Sequence, residues 1–585
     1  MYEREPDRLQ PAGRQGLVSL GNRVTIVAAT HGTGVNVNRR ERSWLAWATL
    51  ALLLASNVPY LIAWAATPAD AHFTGLVFNP LDGHSYLAKM RQGFAGSWRF
   101  RLAFTPERSP GAHIFLFHLS LGHLARWTGL PLIAVYHGAR ILGSVAMLAG
   151  IYAMTSCLSE QRRERSTMFL LTSVGSGLGW LLLPFRIQAP DLWVPEAFPA
   201  YASMANAHFP LAIGLMVGIA GWGLRLMDLG ADTERVTGTG WTDGLALTLG
   251  ALLLGTIQPF GLVPTFGGLG IALLARALRQ RSVPWKAGAW IVGAAALALP
   301  YLAYMQTAIR SDPVLASWNA QNVTSSPPLW EWALGYGLVA ALAAWGSMAA
   351  VRRGSSQDFV VLGWTLVTLV GMYLPLPLQR RLSLGLGVPM GLLAGLGWWR
   401  GTRSLIRPRF RGLARGAVVA LSALTPILLI AMASSTALGP GASDADSWLY
   451  LSDGEWAALE WLKINVKGQG EAEPVVLCAP QTGAFVPAWS GLPVVYGHPF
   501  ETLNADQRRA RVESYWIGTM SDAQETAFLV ENRVAYVLVG PRERRLMTAA
   551  EDSGNLVGSL TKNSRLVFER DMVEVYELSD GESGP

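Results

Sequence analysis

The chain has 585 residues, 51% hydrophobic and 15% charged, with 47 Lys and Arg against 40 Asp and Glu for a formal charge of +7. Soluble domains carry about 25% charged residues, so an ordinary soluble globular protein is excluded. The positive balance does not point to nucleic acid, because the basic residues cluster in loops beside apolar runs, which is the pattern that sets membrane topology.

Residues 1–43 are polar and without period. They read as a flexible cytoplasmic tail with no cleavable signal peptide. Apolar runs then recur from 44 to 435, predicting a polytopic α-helical membrane domain. The first span is predicted at Trp44–Trp64. Arg39, Arg40 and Arg42 precede it and place the N-terminus in the cytoplasm of a cell-membrane protein. The loop 65–130 then lies outside.

Residues 112–127 decide the topology. They are apolar but number about 16, short of the roughly 20 needed to cross. If they cross, Arg162, Arg163, Arg165, Arg276, Arg279, Arg281, Lys286, Arg352, Arg353 and the run from Arg400 to Arg415 all fall outside. If they lie along the interface, every cluster falls inside. The second option predicts about eleven spans, at roughly 44–64, 131–157, 167–186, 206–228, 243–258, 260–278, 286–306, 330–350, 358–376, 382–399 and 412–434. The C-terminus is then extracytoplasmic.

From 447 to 585 the pattern changes. Residues 454–466, 503–516 and 522–532 have helical character. PVVLCA, LPVVYG, AYVLVG and MVEVYEL read as strands, so a small α/β extracytoplasmic domain is predicted. Cys157 and Cys478 are too few and too far apart in kind of segment to suggest a disulfide framework.

The chemistry concentrates in the outer loops. The first breaks the positive-inside pattern with Lys89, Arg91, Arg99, Arg101 and Arg108, which suits an anionic ligand such as a lipid phosphate or nonspecific headgroup contact. Asp82 opens a helical run from Gly83 to Phe94, either as its N-cap or as a carboxylate placed to take a proton. Asp191 and Glu196 on loop 187–207, and His208 just after it, with His84, are candidates for an acceptor, sugar or metal site, a divalent metal being one option. Arg380 and Arg381, at the outer end of a span, are candidates for a phosphate or for snorkelling to headgroups. Arg140 is a weaker candidate of the same type. His113, His118 and His123 are spaced five apart and do not share a helical face, so they are not read as a metal cluster.

The segment from Asp82 onward resembles the GT-C superfamily of membrane glycosyltransferases, most closely the protein O-mannosyltransferase and lipid A aminoarabinose transferase branch. An acid after the first span begins a juxtamembrane helix. Gly96-Ser97-Trp98 matches a turn of the G-D-W kind, and Ser109-Pro110-Gly111 breaks the chain before AHIFLFHLSLGHLAR. A span with Arg140 in HGARILGS follows. Two departures are a lone Asp82 before Gly83 where several relatives pair acids, and Ser-Pro-Gly where they often have Pro-Pro. The tail segment GHPFETLN, Gly497 to Asn504, resembles bacterial membrane proteins that carry only a provisional glycosyltransferase label.

The resemblance implies a GT-C-like inverting glycosyltransferase that moves a sugar from a polyprenyl-phosphate donor to an outer acceptor (protein, lipid or glycan). Asp82 would be the general base, and Arg380, Arg381 or Arg91 would meet the leaving phosphate. Glu196 and His208 would shape the acceptor or sugar site. The competing expectations are a transporter or lipid flippase, which eleven spans would suit, and a non-catalytic assembly protein using the outer domain.

Overall fold

The computed structural model describes residues 38–229, 239–281, 283–439, 442, 444, 447–466, 473–548 and 564–578. The expected tail 1–43 lies outside the described residues as far as residue 37. Helix α1, Arg39–Ala65, is capped by Asn38, whose side chain accepts from the Glu41 amide at 2.9 Å.

The chain is a multi-pass membrane protein. Among the described residues, eight helices are long and apolar enough to cross: Arg39–Ala65, Leu132–Leu158, Arg162–Phe185, His208–Asp228, Gly240–Ile257, Pro259–Gln280, Trp285–Ser311 and Leu329–Arg353. A ninth crossing results if Pro408–Ser422 and Leu424–Leu438, bent by 44° at their junction, count as one. The remaining two expected spans are the helices Ser356–Gly371 and Gly387–Arg400, of 16 and 14 residues. At about 1.5 Å per residue they fall short of a hydrocarbon core about 30 Å thick. Gly387–Arg400 is buried along most of its length, so its neighbours, rather than lipid, satisfy its surroundings.

Two short helices lie between the first two long ones. Helix α2 is Pro80–Phe94 and α3 is Leu116–Thr128; helix α4, Leu132–Leu158, follows. The thirteen residues of α3 span about 20 Å. Helices α2 and α3 cross at backbone contact. A Cβ on Gly93 would sit 2.1 Å from the Leu119 carbonyl oxygen, and one on Gly122 2.0 Å from that of Met90. Gly122→Val is therefore expected to push the helices apart and lower stability by at least about 1–3 kcal/mol, read as a fall in Tm of the detergent-purified protein.

The C-terminal residues form a mixed sheet in the order β3-β4-β6-β5: Val475–Leu477, Val534–Val539, Val573–Leu578 and Ser564–Arg570. The β3/β4 pair is parallel and the other two pairs are antiparallel. LPVVYG, expected as a strand, makes only an isolated bridge, Val476 to Val494. The Val494 amide instead donates to the Ala103 carbonyl at 3.1 Å, tying this segment to the first loop. A further two-stranded sheet pairs β1, Ala71–Phe73, with β2, Tyr450–Ser452. Leu76, Leu87, Met90 and Phe104 of the first loop share one hydrophobic cluster with Leu459, Leu462, Val476 and Phe485. The first loop and the C-terminal residues thus fold as one body on one face of the bundle.

Candidate active site

The helical stripe of α2 decides which of its polar residues meet. Its N-cap is Asn79, in the left-handed region at φ 47°, where Asn is better tolerated than most residues. Pro80 takes the first helical position. Asp82 is therefore not the cap, as one of its two expected roles required. It lies in the first turn, where the helix N-terminus favours an anion. At about 100° per residue, Tyr86 and Lys89 share Asp82's stripe.

Lys89 is 1% exposed, with Nζ 2.6 Å from both Glu501 Oε1 and Ser85 Oγ. It also lies 4.7 Å from the Phe115 ring centroid. The Ser85 hydroxyl donates to Glu501 as well. His498 Nε2 stands 3.5 Å from Asp82 Oδ1, and the Asp82 side chain keeps 46% of its surface accessible. Burial works to raise the Asp82 carboxyl, but His498, Arg381 and Lys89 outweigh it and hold the group below the ordinary carboxylate range. Asp82 is thus ionised at neutral pH.

The turn Gln379–Ser383 and the loop before the span His208–Asp228 bring Arg381 and Glu196 within electrostatic reach of Asp82. The Arg380 amide donates to the Thr324 carbonyl at 3.2 Å, and the Gly385 amide to the Glu196 carbonyl at 2.9 Å. Arg380 Nε lies 4.0 Å from Glu196 Oε1, with the guanidinium 4.8 Å from the Trp193 ring centroid. Burial pushes the Glu196 carboxyl up, against the pull of Arg380 and Arg381. Arg381 lies 5.9 Å from the Phe260 ring centroid and has no carboxylate within ion-pair distance among the described residues.

His208 meets the edge of Tyr86 at 4.8 Å and His118 at 5.2 Å. Arg380 Nε, Ser383 Oγ, Asn206 Nδ2, His208 Nδ1 and both ring nitrogens of His118 are buried with no hydrogen-bond partner among the described residues. Buried polar atoms are nearly always paired, so these atoms are open to a water or a ligand.

Asp82, Glu196, His208, Arg380 and Arg381 are therefore brought together. Arg91, His84 and Asp191 are not. Arg91 lies two and a half turns beyond Asp82, on the far side of α2, packed against Gly491. His84 also faces away. Its Nδ1 donates to the Pro80 carbonyl at 2.6 Å, its ring meets Phe485 at 4.6 Å, and burial pushes its pKa down to about 4. Asp191 Oδ2 accepts from the Gly177 and Gly179 amides and from Thr425 Oγ1, which ties a chain break to the bend in the last span. Arg140 donates to the Ser203 carbonyl and to Asn57 Oδ1, both at 2.6 Å, and is engaged within the bundle. Arg99, Arg101 and Arg108 are exposed.

His498 and Glu501, absent from the expected site, sit in the segment Gly497–Asn504 that the resemblance had marked. Among the described residues, no three His, Cys, Asp or Glu side chains are grouped to hold a metal ion.

The fold defines a class, a polytopic membrane bundle packed against a C-terminal α/β unit. Two solved structures share this architecture. One is ArnT from Cupriavidus metallidurans bound to undecaprenyl phosphate, with TM-score 0.53, 12% identity, 92% of this chain and 99% of that chain covered. The other is the oligosaccharyltransferase from Archaeoglobus fulgidus, with TM-score 0.52, 13% identity, 93% of this chain and 75% of that chain covered. No protein-family model and no curated protein matches the chain. The likeness is one of fold.

Proposed function

We propose that the chain is an integral membrane glycosyltransferase that moves a sugar from a polyprenyl-phosphate donor to an extracytoplasmic acceptor. The N-terminus is cytoplasmic, residues 44–435 form the membrane domain, and residues 447–585 lie outside. The observation that supports this reading is the electrostatic reach of Arg381 to an ionised Asp82, beside Glu196 and its neighbour Arg380. Its fold neighbour's bound undecaprenyl phosphate supports a lipid-phosphate donor.

In the reaction, Asp82 takes the proton of an acceptor hydroxyl or amine as that atom bonds to the anomeric carbon. The bond from the anomeric carbon to the phosphate oxygen breaks, and the oxygen leaves with its electron pair. Arg380 and Arg381 neutralise the charge that develops on it. Attack opposite the leaving group inverts the anomeric centre. Glu196 and His208 line the sugar or acceptor.

The test is release of undecaprenyl phosphate from a panel of undecaprenyl-phosphate hexoses and pentoses by the protein in liposomes. Release and acceptor labelling are expected for at least one sugar. Arg381→Gln is expected to raise the donor KM about tenfold or more, the effect of losing a hydrogen bond to a charged group. Lipid translocation without release for any sugar would replace this reading with a flippase.

A further inference from the structure

Resting on the reading of Asp82 as base, we propose that His498 is its positioning residue. The C-terminal unit delivers this side chain to hold one oxygen of the Asp82 carboxylate while the other takes the acceptor's proton.

The His498 ring is fixed from several directions. The Phe500 amide donates to its Nδ1 at 3.1 Å, which leaves the ring proton on Nε2. Its own backbone amide donates to Thr502 Oγ1 at 3.2 Å, and that hydroxyl donates to the Phe104 carbonyl at 2.7 Å. Asn322 Nδ2 donates to the Phe500 carbonyl at 3.0 Å and Gln321 Nε2 to the Thr502 carbonyl at 2.7 Å. Each of these contacts joins the segment Gly497–Asn504 to itself, to the first loop or to the helix Pro313–Gln321 and its C-cap. The ring is 3% exposed and directs Nε2 at Asp82 Oδ1 over 3.5 Å. Nε2 has no closer partner among the described residues.

That separation is long for a hydrogen bond. Catalytic hydrogen bonds often tighten only once substrate is bound. With Oδ1 facing His498, Oδ2 is the oxygen left for the acceptor. When it takes the proton, His498 keeps its own, so the ring orients the base without relaying. The other titratable or charged groups facing Asp82 are Lys89 and Tyr86 on α2, Arg381 of the turn Gln379–Ser383, Glu196, Tyr201 of the short helix Pro199–Met204, His208 at the start of the next span, and Tyr136 of α4. Among them His498 alone brings a nitrogen within 4.0 Å of the carboxylate.

Two substitutions separate positioning from packing. His498→Phe keeps the ring and removes the N–H; His498→Gln keeps an N–H near Nε2 and removes the ring. Undecaprenyl phosphate release from the sugar panel is expected to fall about 10- to 100-fold in kcat for His498→Phe, with donor KM unchanged, and to recover most of that in His498→Gln. Infrared titration adds a readout that needs no substrate. The protonated-carboxyl band missing in Asp82→Asn is expected to appear at higher pH in His498→Phe than in the native protein. Native kcat and an unmoved band in His498→Phe would overturn the proposal, as would recovery by Phe but not Gln. Full turnover in Asp82→Asn would remove the base reading instead, and the infrared band would still decide whether His498 holds the carboxylate.

Discussion

Asp82→Asn is expected to lower sugar transfer by about 10²- to 10⁴-fold, the range for loss of a general base. The amide has the shape of the carboxylate and cannot take a proton. The fall should appear in kcat, with donor KM little changed, because the cations assigned to the phosphate, Arg380 and Arg381, are left in place. Folding should be only slightly affected, since Asn79, not Asp82, caps α2 and the Asp82 side chain is 46% exposed. Asp82→Glu extends the side chain by one methylene and should recover only part of the rate, because a displacement near 1 Å costs about 100-fold in well-ordered sites. The pH profile has a definite sign. Asp82 is held below its ordinary range, so activity that depends on the carboxylate should persist through the usual carboxylate pKa and fail only at still lower pH. Equal turnover by Asp82→Asn and the native protein would exclude Asp82 from the mechanism.

The second large effect concerns Lys89 and Glu501. This pair is buried, close and supported by Ser85. Removing one member leaves the other charge in low dielectric, which costs about 3–5 kcal/mol. Glu501→Leu and Lys89→Met are each expected to lower the Tm sharply and to release the C-terminal unit to proteolysis. The double variant should recover most of the loss, since a buried pair replaced by apolar groups is often close to neutral. Burial works to raise the Glu501 carboxyl, but Lys89 and then His498 outweigh it and hold it below its unfolded value. Its contribution to stability is therefore fully present above the unfolded pKa and is lost as pH falls through the lower folded one. An acid melt that is no steeper in the native protein than in the double variant would show that the pair does not govern the docking.

Much of this was legible in the chain. The apolar runs located the bundle, and the charge clusters separated the short helix α3 from the spans. Asp82, Glu196, His208, Arg380 and Arg381 were singled out one at a time and meet in the structure. Arg91 and His84 could have been set aside from the sequence, because nine and two residues from Asp82 both lead to the far side of a helix. The pattern that removes them selects Tyr86 and Lys89. His498 and Glu501 could not be found by local spacing: Ser85 and Glu501 are 416 residues apart, and no helical or strand period spans such a distance. Asp191 misled because a carboxylate in a Trp- and Pro-rich loop looks the same whether it meets substrate or backbone amides.

The pairing of β1 with β2, and of α2 with Gly497–Asn504, also bears on how the protein is made. Ribosomes add about 5–20 residues per second, so about 20–80 s separate the emergence of Ser85 from that of its partner Glu501. During that interval the bundle can insert helix by helix, with Glu501 still unsynthesised. If the proposed function holds, a chain not yet extended to Glu501 would hold the arginines without an oriented base, and donor lipid entering it would leave unconsumed. On the proposed reading, competence waits for the segment Gly497–Asn504 to be made and docked against α2.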